Sequence, residues 1–252
     1  MNKKTTLRAF ALIAAFTVAT TVTAAPIAGQ GTWQTTLQAR DLNSDGITDA
    51  FYDSTLNITW ASNANINGLM TWDAANTWAN NVSIGGVTGW RLPTMVDTGT
   101  AGCDYSITGT DCGYNVQTRA GGITYSEMAH LYYVTLGNLT YCRPGSVGST
   151  TCVPQTGYGL GNTANFANFD QYGYWSGLEY VSPSSGLAWY FRTDTYDGAG
   201  YQDRDDKDYQ LSGLAVRSGD AGVATAVPIA PTVVLLLPLL MGLVVRTGRR
   251  TG

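Results

Sequence analysis

An apolar stretch beside basic residues stands at each end of the chain, and these two stretches restrict the globular part to the residues between them. Residues 1–24 contain Lys3, Lys4 and Arg8, then an apolar run, then small residues up to Ala24. This order is typical of a secretory signal peptide, and a buried helix or membrane anchor is the alternative. We therefore expect residues 1–24 to be a signal peptide and the remainder of the chain to be exported.

The C-terminal segment 221–252 predicts a membrane-associated tail. About 17 apolar residues (229–245) precede a cluster of three arginines. This length is the lower limit for a bilayer-spanning helix, and the basic cluster predicts a cytoplasmic end. With Pro228 just before the apolar run and Pro231 near its start, the tail resembles a PEP-CTERM sorting signal of Gram-negative bacteria. The resemblance implies processing by an exosortase-type enzyme, transient or stable inner-membrane anchoring, and a final place at the cell surface or in the extracellular biofilm matrix.

The charge is distributed unevenly between these ends and the middle. Six of the 14 basic residues lie in the two terminal segments, whereas all 18 acidic residues lie between them, which leaves that part with a net charge of −10. Such an acidic surface excludes nucleic acid as a partner, because phosphates require a basic surface. It suits the binding of cations or of uncharged glycans.

Four cysteines in the expected exported part predict disulfides, because this compartment is oxidising. Cys103 and Cys112 are nine residues apart, and Cys142 and Cys152 are ten apart. Two local disulfides are the simplest arrangement, although four cysteines allow three connectivities. A zinc site is the alternative, but its usual Cys-x-x-Cys pair is missing.

The hydrophobic pattern predicts an α+β fold with antiparallel strands. Alternation of apolar and polar residues indicates strands at 32–39 and 56–60. Three aromatic-rich segments separated by Gly, Asp and Ser predict three further antiparallel strands, at 172–180, 186–194 and 209–219.

Two short helices complete the expected fold. Residues 71–80 have helical periodicity, with Thr71 as the N-cap. Residues from about 126 to 136 form the second predicted helix, with Thr124 and Glu127 at capping-box spacing. The stretch 145–168 is rich in Gly, Thr and Asn and predicts a long loop.

Five motifs follow one another along the chain: GWRLPT (89–94), SEMAHL (126–131), YWSGLEY (174–180), LAWYF (187–191) and AVRSGD (215–220). In this order they resemble the Lcl C-terminal domain family of bacterial collagen-like adhesins. The resemblance covers residues 50–220, and residues 25–49 precede it with an N-terminal strand and a calcium-type loop. It implies a single compact C-type-lectin-like domain, display at the surface, and binding of polysaccharide or matrix.

The motif GWRLPT places the cation of Arg91 among apolar residues. We interpret this arginine as structural, paired with Glu127, Asp97 or Glu179, because a half-buried guanidinium needs several acceptors. A ligand-binding role for Arg91 is the alternative. The residues expected to be structural are Trp90, Arg91, Pro93, Glu127, Trp175, Trp189 and Arg217.

The segment DLNSDGITD (41–49) resembles the first half of EF-hand, dockerin and thrombospondin-type calcium loops. It has oxygen ligands at alternate positions and a glycine, Gly46, at the sixth. Tyr52 stands where a bidentate acid is usual, so Asp53 would have to replace it. The predicted calcium ligands are Asp41, Asn43, Asp45, Ile47, Asp49 and Asp53, and an Asx-turn without metal is the alternative.

A second acidic cluster is interleaved with tyrosines near the C-terminal end of the expected domain. Tyrosine faces stack on sugar rings and carboxylates bind hydroxyls, so the candidate glycan ligands are Asp194, Tyr196, Asp197, Tyr201, Asp203 and Asp205. A solvated hairpin whose tyrosines pack on the core is the alternative. Tyr190, like Trp175 and Trp189, is expected in the core.

These patterns favour an exported protein that binds polysaccharide, with calcium as a candidate cofactor. A structural matrix protein stabilised by calcium is one alternative, and a polysaccharide hydrolase that uses paired carboxylates is another. An enzyme is not expected, because His130 is the only histidine and no nucleophile or phosphate-loop motif occurs.

Overall fold

The computed structural model describes residues 30–99, 111–144, 152–169, 172–180, 186–194 and 196–222. These residues form a mixed α+β fold, with mostly antiparallel strands and a few short helices. The expected signal peptide, and the expected tail from residue 223 onward, lie outside the described residues. Within the described ranges, no helix is long and apolar enough to span a bilayer.

The elements are short. The strands are β1 (Leu37–Arg40), β2 (Ala50–Asp53), β3 (Ile58–Ala61), β4 (Leu69–Met70), β5 (Gly113–Tyr114), β6 (Arg119–Ala120), β7 (Ile123–Thr124), β8 (Gly173–Glu179), β9 (Leu187–Arg192), β10 (Tyr201–Asp206), β11 (Leu211–Ser212) and β12 (Val216–Ser218). The helices are α1 (Trp33–Thr36), α2 (Trp72–Asn81), α3 (Glu127–Ala129) and a π-helix (His130–Thr135) that continues α3.

Strands β1, β2, β3 and β12 form a four-stranded antiparallel sheet in that order. The turn between β2 and β3 contains Asn57 at a φ of 54°, a left-handed conformation that asparagine tolerates. Strand β12 comes from the far end of the described chain and places Val216 opposite Trp60 of β3. The expected boundary between residues 49 and 50 therefore falls inside a β1–β2 pair, so both sides of it belong to one sheet.

The second sheet has six strands in the order β4-β11-β8-β9-β10-β5. Its pairs are antiparallel except for β11 and β8, which run parallel. The expected strands at 172–180 and 186–194 correspond to β8 and β9.

The prediction of one strand at 209–219 is wrong. Strand β10 intervenes after β9, and the segment then divides into β11 of the six-stranded sheet and β12 of the four-stranded sheet. The chain crosses between them at Gly213, where a Cβ would lie 3.0 Å from both Met70 and Trp78. Leu214 and Ala215 are completely buried at this crossing. Apolar residues here fill the space between the sheets rather than one face of a strand.

The expected strand at 32–39 is a strand only in its second half. The backbone N–H groups of Thr35 and Thr36 donate to Thr32 O, and their hydroxyls donate to the same carbonyl at 2.9 and 3.0 Å. These local bonds close the single turn of α1, because threonine hydroxyls offer the backbone an alternative to the strand ladder.

Helix α2 agrees with the sequence prediction. Thr71 Oγ1 accepts a hydrogen bond from Ala74 N, and Ala75 and Ala79 are buried on one face. The second helix has a different cap from the one expected, because Ser126 Oγ accepts from Ala129 N at 3.1 Å. Thr124 lies in β7 instead.

One core cluster joins the two sheets. It contains Trp60 and Val216 from the four-stranded sheet, Tyr174 and Phe191 from the six-stranded sheet, and Leu131 from the π-helix. A second cluster packs α2 against the other part of the six-stranded sheet. The two sheets are thus held in a fixed relation by shared core residues.

Candidate functional site

A cleft on the six-stranded sheet brings three tyrosines together with one cation and one carboxylate. This tyrosine cleft has a volume of about 120 Å³ and is lined by Tyr172, Tyr190, Arg192, Asp205, Tyr209 and Leu211. Tyr172 and Tyr209 are 39% and 43% exposed. Their rings therefore remain partly accessible to a ligand.

A glycine lies next to several of the residues that line the tyrosine cleft. Tyr190 and Arg192 are two residues apart in β9 and so share a face, and Gly173 of β8 is paired with Arg192. A Cβ at Gly173 would lie 3.4 Å from Leu211 Cδ2 and 3.5 Å from Tyr190 Cδ2. A side chain at this position would therefore contact both residues directly.

The outer wall of the cleft consists of Tyr172 and Tyr209, whose hydroxyl groups are hydrogen-bonded to each other. Their ring centroids are 6.3 Å apart. The hydrogen bond from Tyr209 and, to a smaller extent, burial raise the pKa of Tyr172 above its ordinary value. Tyr172 therefore stays neutral near pH 7 and can donate or accept a hydrogen bond.

A buried carboxylate, that of Asp194, fixes the guanidinium of Arg192, which is the cation of the cleft. Asp194, which is 2% exposed, accepts hydrogen bonds from Arg192 Nε at 2.8 Å and from Nη2. Burial lowers the pKa of Arg192, but the neighbouring Asp194 carboxylate more than offsets this, and the net shift is upward. Gly198 packs against the guanidinium, since a Cβ there would lie 2.0 Å from Arg192 Cζ. The guanidinium is thus fixed in place before any ligand arrives.

Of the six residues predicted to bind a glycan, Asp205 alone lines the tyrosine cleft. Asp194 instead positions Arg192. Asp203 is half-buried, and burial raises its carboxyl pKa above the ordinary value.

The other three predicted ligand residues lie away from the cleft walls. Tyr196 is 74% exposed, and Asp197 is exposed with its carbonyl accepting a hydrogen bond from the Tyr114 hydroxyl. Tyr201 is buried, with its ring 4.8 Å from that of Tyr114. The tyrosines of this segment are therefore divided between the core and the surface.

Most residues of the tyrosine cleft were not predicted from the sequence. Tyr190 was expected in the core, and Tyr172 was treated only as part of a strand. Alternation along β9 was the available signal, because it puts Tyr190 and Arg192 on one face. Pairing of β9 with β8 and β10 was needed to bring Asp205 to that face, and it joins residues distant in sequence.

The predicted calcium loop folds around its first carboxylate. Asp41 Oδ1 accepts from Ser44 N at 2.7 Å, and Oδ2 accepts from Gly46 N at 2.8 Å. Asn43 Oδ1 accepts from Asp45 N at 2.9 Å. These are the bonds of an Asx-turn, and they bring Asp41, Asn43 and Asp45 together.

The remaining predicted calcium ligands point to other partners. Asp49 Oδ2 accepts from Leu42 N at 2.8 Å, and Ile47 is 67% exposed. Asp53 is completely buried and accepts from the backbone N–H of Thr55 and Leu56 in the β2–β3 turn. No group of three or more His, Cys, Asp or Glu side chains is arranged to hold a metal ion within the described part of the chain. The loop therefore fits a calcium ion only in part.

Arg91 and Glu127 form a bidentate ion pair. Arg91 Nη1 donates to Glu127 Oε2 at 2.7 Å, and Nη2 donates to Oε1 at 2.8 Å. The same carboxylate accepts from Thr94 N at 2.8 Å. Glu127 thus ties the GWRLPT segment to the start of α3, whereas Asp97 accepts from Trp189 Nε1 and Glu179 pairs with Lys207.

The other residues expected to be structural lie in or near the core. Trp90, Trp175 and Trp189 are at most 2% exposed. The Pro93 carbonyl accepts from Gly177 N at 2.8 Å, which joins the motif to β8. Arg217 Nε donates to the Thr88 carbonyl at 3.1 Å.

The predicted local disulfide between Cys142 and Cys152 is confirmed, with a Cα–Cα distance of 5.0 Å. Cys112 is also disulfide-bonded, and Cys103 lies outside the described residues. Among the described cysteines none is free, which leaves no thiolate there for a zinc site.

The sequence matches no protein-family model and no curated protein, and the fold matches no solved structure.

Proposed function

We propose that this protein is an exported polysaccharide-binding protein and that the tyrosine cleft holds one sugar unit of the polymer. The observation that carries this proposal is the grouping of two partly exposed tyrosines with a fixed arginine and a carboxylate in one surface cleft. Aromatic faces pack on the C–H face of a sugar ring, and Arg192 and Asp205 supply a donor and an acceptor for its hydroxyls.

The size and charge of the site support an uncharged polymer. A volume of about 120 Å³ is below the 300–1,000 Å³ usual for sites that enclose a small molecule. Such a cleft suits a single ring of a chain that lies across the surface. The net charge of −10 between the terminal segments disfavours sulfated or phosphorylated polymers.

The proposed localisation rests on the sequence. Residues 1–24 have the order of a signal peptide, and residues 221–252 resemble a PEP-CTERM signal. We therefore place the protein at the cell surface or in the extracellular matrix, after transit through the inner membrane. The mixed α+β fold is compatible with a C-type-lectin-like domain of the Lcl C-terminal type, and this family assignment belongs to the proposal.

The test is binding of the purified, oxidised protein to an array of neutral polysaccharides. Tyr209→Ala removes an exposed wall of the cleft, and we expect about a tenfold loss of affinity, or about 1.4 kcal/mol. Tyr196→Ala is the matched control, because Tyr196 is more exposed but lies outside the cleft.

A second variant fills the cleft instead of removing a wall. Gly173 lies in β8 with no positive φ, so Gly173→Val introduces an isopropyl group against Leu211 and Tyr190 of the cleft without backbone strain. Saturable binding that survives in both Gly173→Val and Tyr209→Ala would contradict the proposed site. Release of reducing ends during incubation would instead support a hydrolase.

Calcium dependence is a separate part of the proposal. The grouping of Asp41, Asn43 and Asp45 in one turn supports calcium binding. Asp53 does not add a ligand to this group, because it accepts hydrogen bonds in the β2–β3 turn. If calcium binds the loop, millimolar calcium raises the melting temperature of the protein and Asp41→Asn abolishes the rise. An unchanged melting temperature with calcium or EDTA contradicts this part and leaves glycan binding to be judged on its own.

A further inference from the structure

A second cavity lies away from the tyrosine cleft, between the start of the described chain and two loops. Its volume is about 400 Å³, and it is lined by Gln30, Trp33, Gly137, Asn138, Leu139, Gly157, Gly161 and Asn162. We infer that this amide pocket is a second saccharide-binding site, which takes an uncharged, polyhydroxylated ring. The inference does not depend on the tyrosine cleft, since the two cavities share no residue.

The walls of the amide pocket are fixed by two asparagines. Asn138 Nδ2 donates to the Asn162 carbonyl at 2.8 Å, and Asn162 N donates to Asn138 Oδ1 at 2.8 Å. Asn162 Nδ2 in turn donates to the Leu136 carbonyl at 2.7 Å and to the Gln30 carbonyl at 3.2 Å. These bonds connect the three segments that surround the cavity.

Two glycines allow the same segments to touch through their backbones. A Cβ at Gly31 would lie 2.3 Å from Thr135 O, and a Cβ at Gly137 would lie 2.3 Å from Gly31 N. Both glycines have positive φ, near 70°. Since no side chain fits at this crossing, the shape of the pocket is set by backbone contact rather than by movable side chains.

The pocket keeps polar capacity that the protein does not use. The Gln30 side chain makes no hydrogen bond within the described ranges, and Asn138 Oδ1 has a second lone pair. Trp33 borders the pocket through its indole, whose Nε1 is itself buried and has no acceptor among the described residues. The Gln30 amide and the spare lone pair of Asn138 are therefore available to a ligand that carries both donors and acceptors, as a sugar ring does.

The chemistry of the lining selects the class of ligand. None of the described lining residues is charged, so a phosphate, a carboxylate or a metal ion finds no counter-charge among them. An indole, a leucine side chain and three amide groups give the mixture of apolar face and hydrogen-bonding groups that a neutral sugar ring requires. The volume of about 400 Å³ lies in the range of small-molecule sites.

The test follows the indole N–H signal of Trp33 in ¹H–¹⁵N spectra of the oxidised full-length mature protein, in a detergent without a sugar headgroup. Loss of one signal in Trp33→Phe identifies it among the seven tryptophans. The probes are cellotriose, maltotriose, mannotriose and chitotriose. We expect at least one of them to shift the Trp33 signal saturably.

Two glycine variants separate this site from the tyrosine cleft. Gly161 has no positive φ, and a Cβ there would lie 3.9 Å from Asn138 Oδ1, so Gly161→Val fills the amide pocket without strain. We expect it to raise the dissociation constant seen at Trp33 at least tenfold, and Gly173→Val to leave that constant unchanged.

Three results would overturn the inference. They are a Trp33 signal that no probe shifts, an equal shift in Gly161→Val, and nuclear Overhauser contacts from the indole to residues before Gln30. The last result would mean that the chain itself fills the pocket. The proposal for the tyrosine cleft is tested separately. It is contradicted when Gly173→Val and Tyr209→Ala still bind on the polysaccharide array, whatever the Trp33 signal shows.

Discussion

The ion pair between Arg91 and Glu127 offers a direct test of the view that the GWRLPT motif is architectural. The proposed change is Glu127→Gln, which keeps the shape of the side chain but removes its charge and one acceptor oxygen. Glu127 is 5% exposed, and its two oxygens accept three hydrogen bonds from Arg91 and Thr94. The substituted amide cannot satisfy all three donors, because its nitrogen is itself a donor.

The expected loss in free energy of unfolding follows from how deeply Arg91 and Glu127 are buried. Breaking a fully buried pair costs about 3–5 kcal/mol. Arg91 keeps 32% of its side chain exposed, so water partly solvates the guanidinium that remains. We therefore expect Glu127→Gln to lower the free energy of unfolding by about 2–3 kcal/mol, between the buried-pair value and the 1 kcal/mol or less of an exposed pair.

Equilibrium unfolding in urea, followed by tryptophan fluorescence, measures this change. Glu179→Gln is the matched control, because Glu179 pairs with Lys207 but is 41% exposed, and it should cost less than about 1 kcal/mol. A double-mutant cycle with Arg91→Met should give a coupling energy of about 1–3 kcal/mol. A loss in Glu127→Gln no larger than in Glu179→Gln would refute the architectural role and favour Arg91 as a ligand-binding residue.

Three further predictions concern stability. Replacing Cys142 and Cys152 together by serine should lower the free energy of unfolding in urea by about 2–3 kcal/mol, the loop-closure value for this separation; an unchanged midpoint would contradict it. Burial lowers the pKa of His130 below its ordinary 6.5, so the unfolded state binds the proton more tightly and stability should fall as pH drops below about 6.5. His130→Leu should remove that dependence, and because both ring nitrogens lack partners among the described residues, it should cost little or even stabilise the protein; a pH profile identical to that of the parent speaks against this. The hydrogen bond from Arg40 lowers the pKa of Asp220, so its contribution is present above the ordinary pKa of 3.8 and is lost as pH falls below it. Asp220→Asn should cost about 1 kcal/mol at pH 7, since the buried Arg40 loses a bidentate partner but the Asp220 side chain is 38% exposed and its charge is partly screened by water, and equal stability of variant and parent at pH 7 would show the pair to be unimportant.

Local features of the sequence determined a definite part of this protein. The α+β class, helix α2 with its Thr71 cap, strands β8 and β9, and the Cys142–Cys152 disulfide all follow from patterns that span at most a few turns or one short loop. Capping, alternation and short loop closure act between neighbours in the chain, and for that reason they can be read without knowledge of the fold.

Tertiary structure decided the parts that depend on distant residues. Strand pairing joined Asp205 to Tyr190 and Arg192, and the division of 209–219 between two sheets came from the crossing at Gly213. The ion pair of Arg40 with Asp220 spans 180 residues, and no spacing rule anticipates it. In each case several partners were chemically equivalent in the sequence, and only packing of the two sheets around one core selected among them.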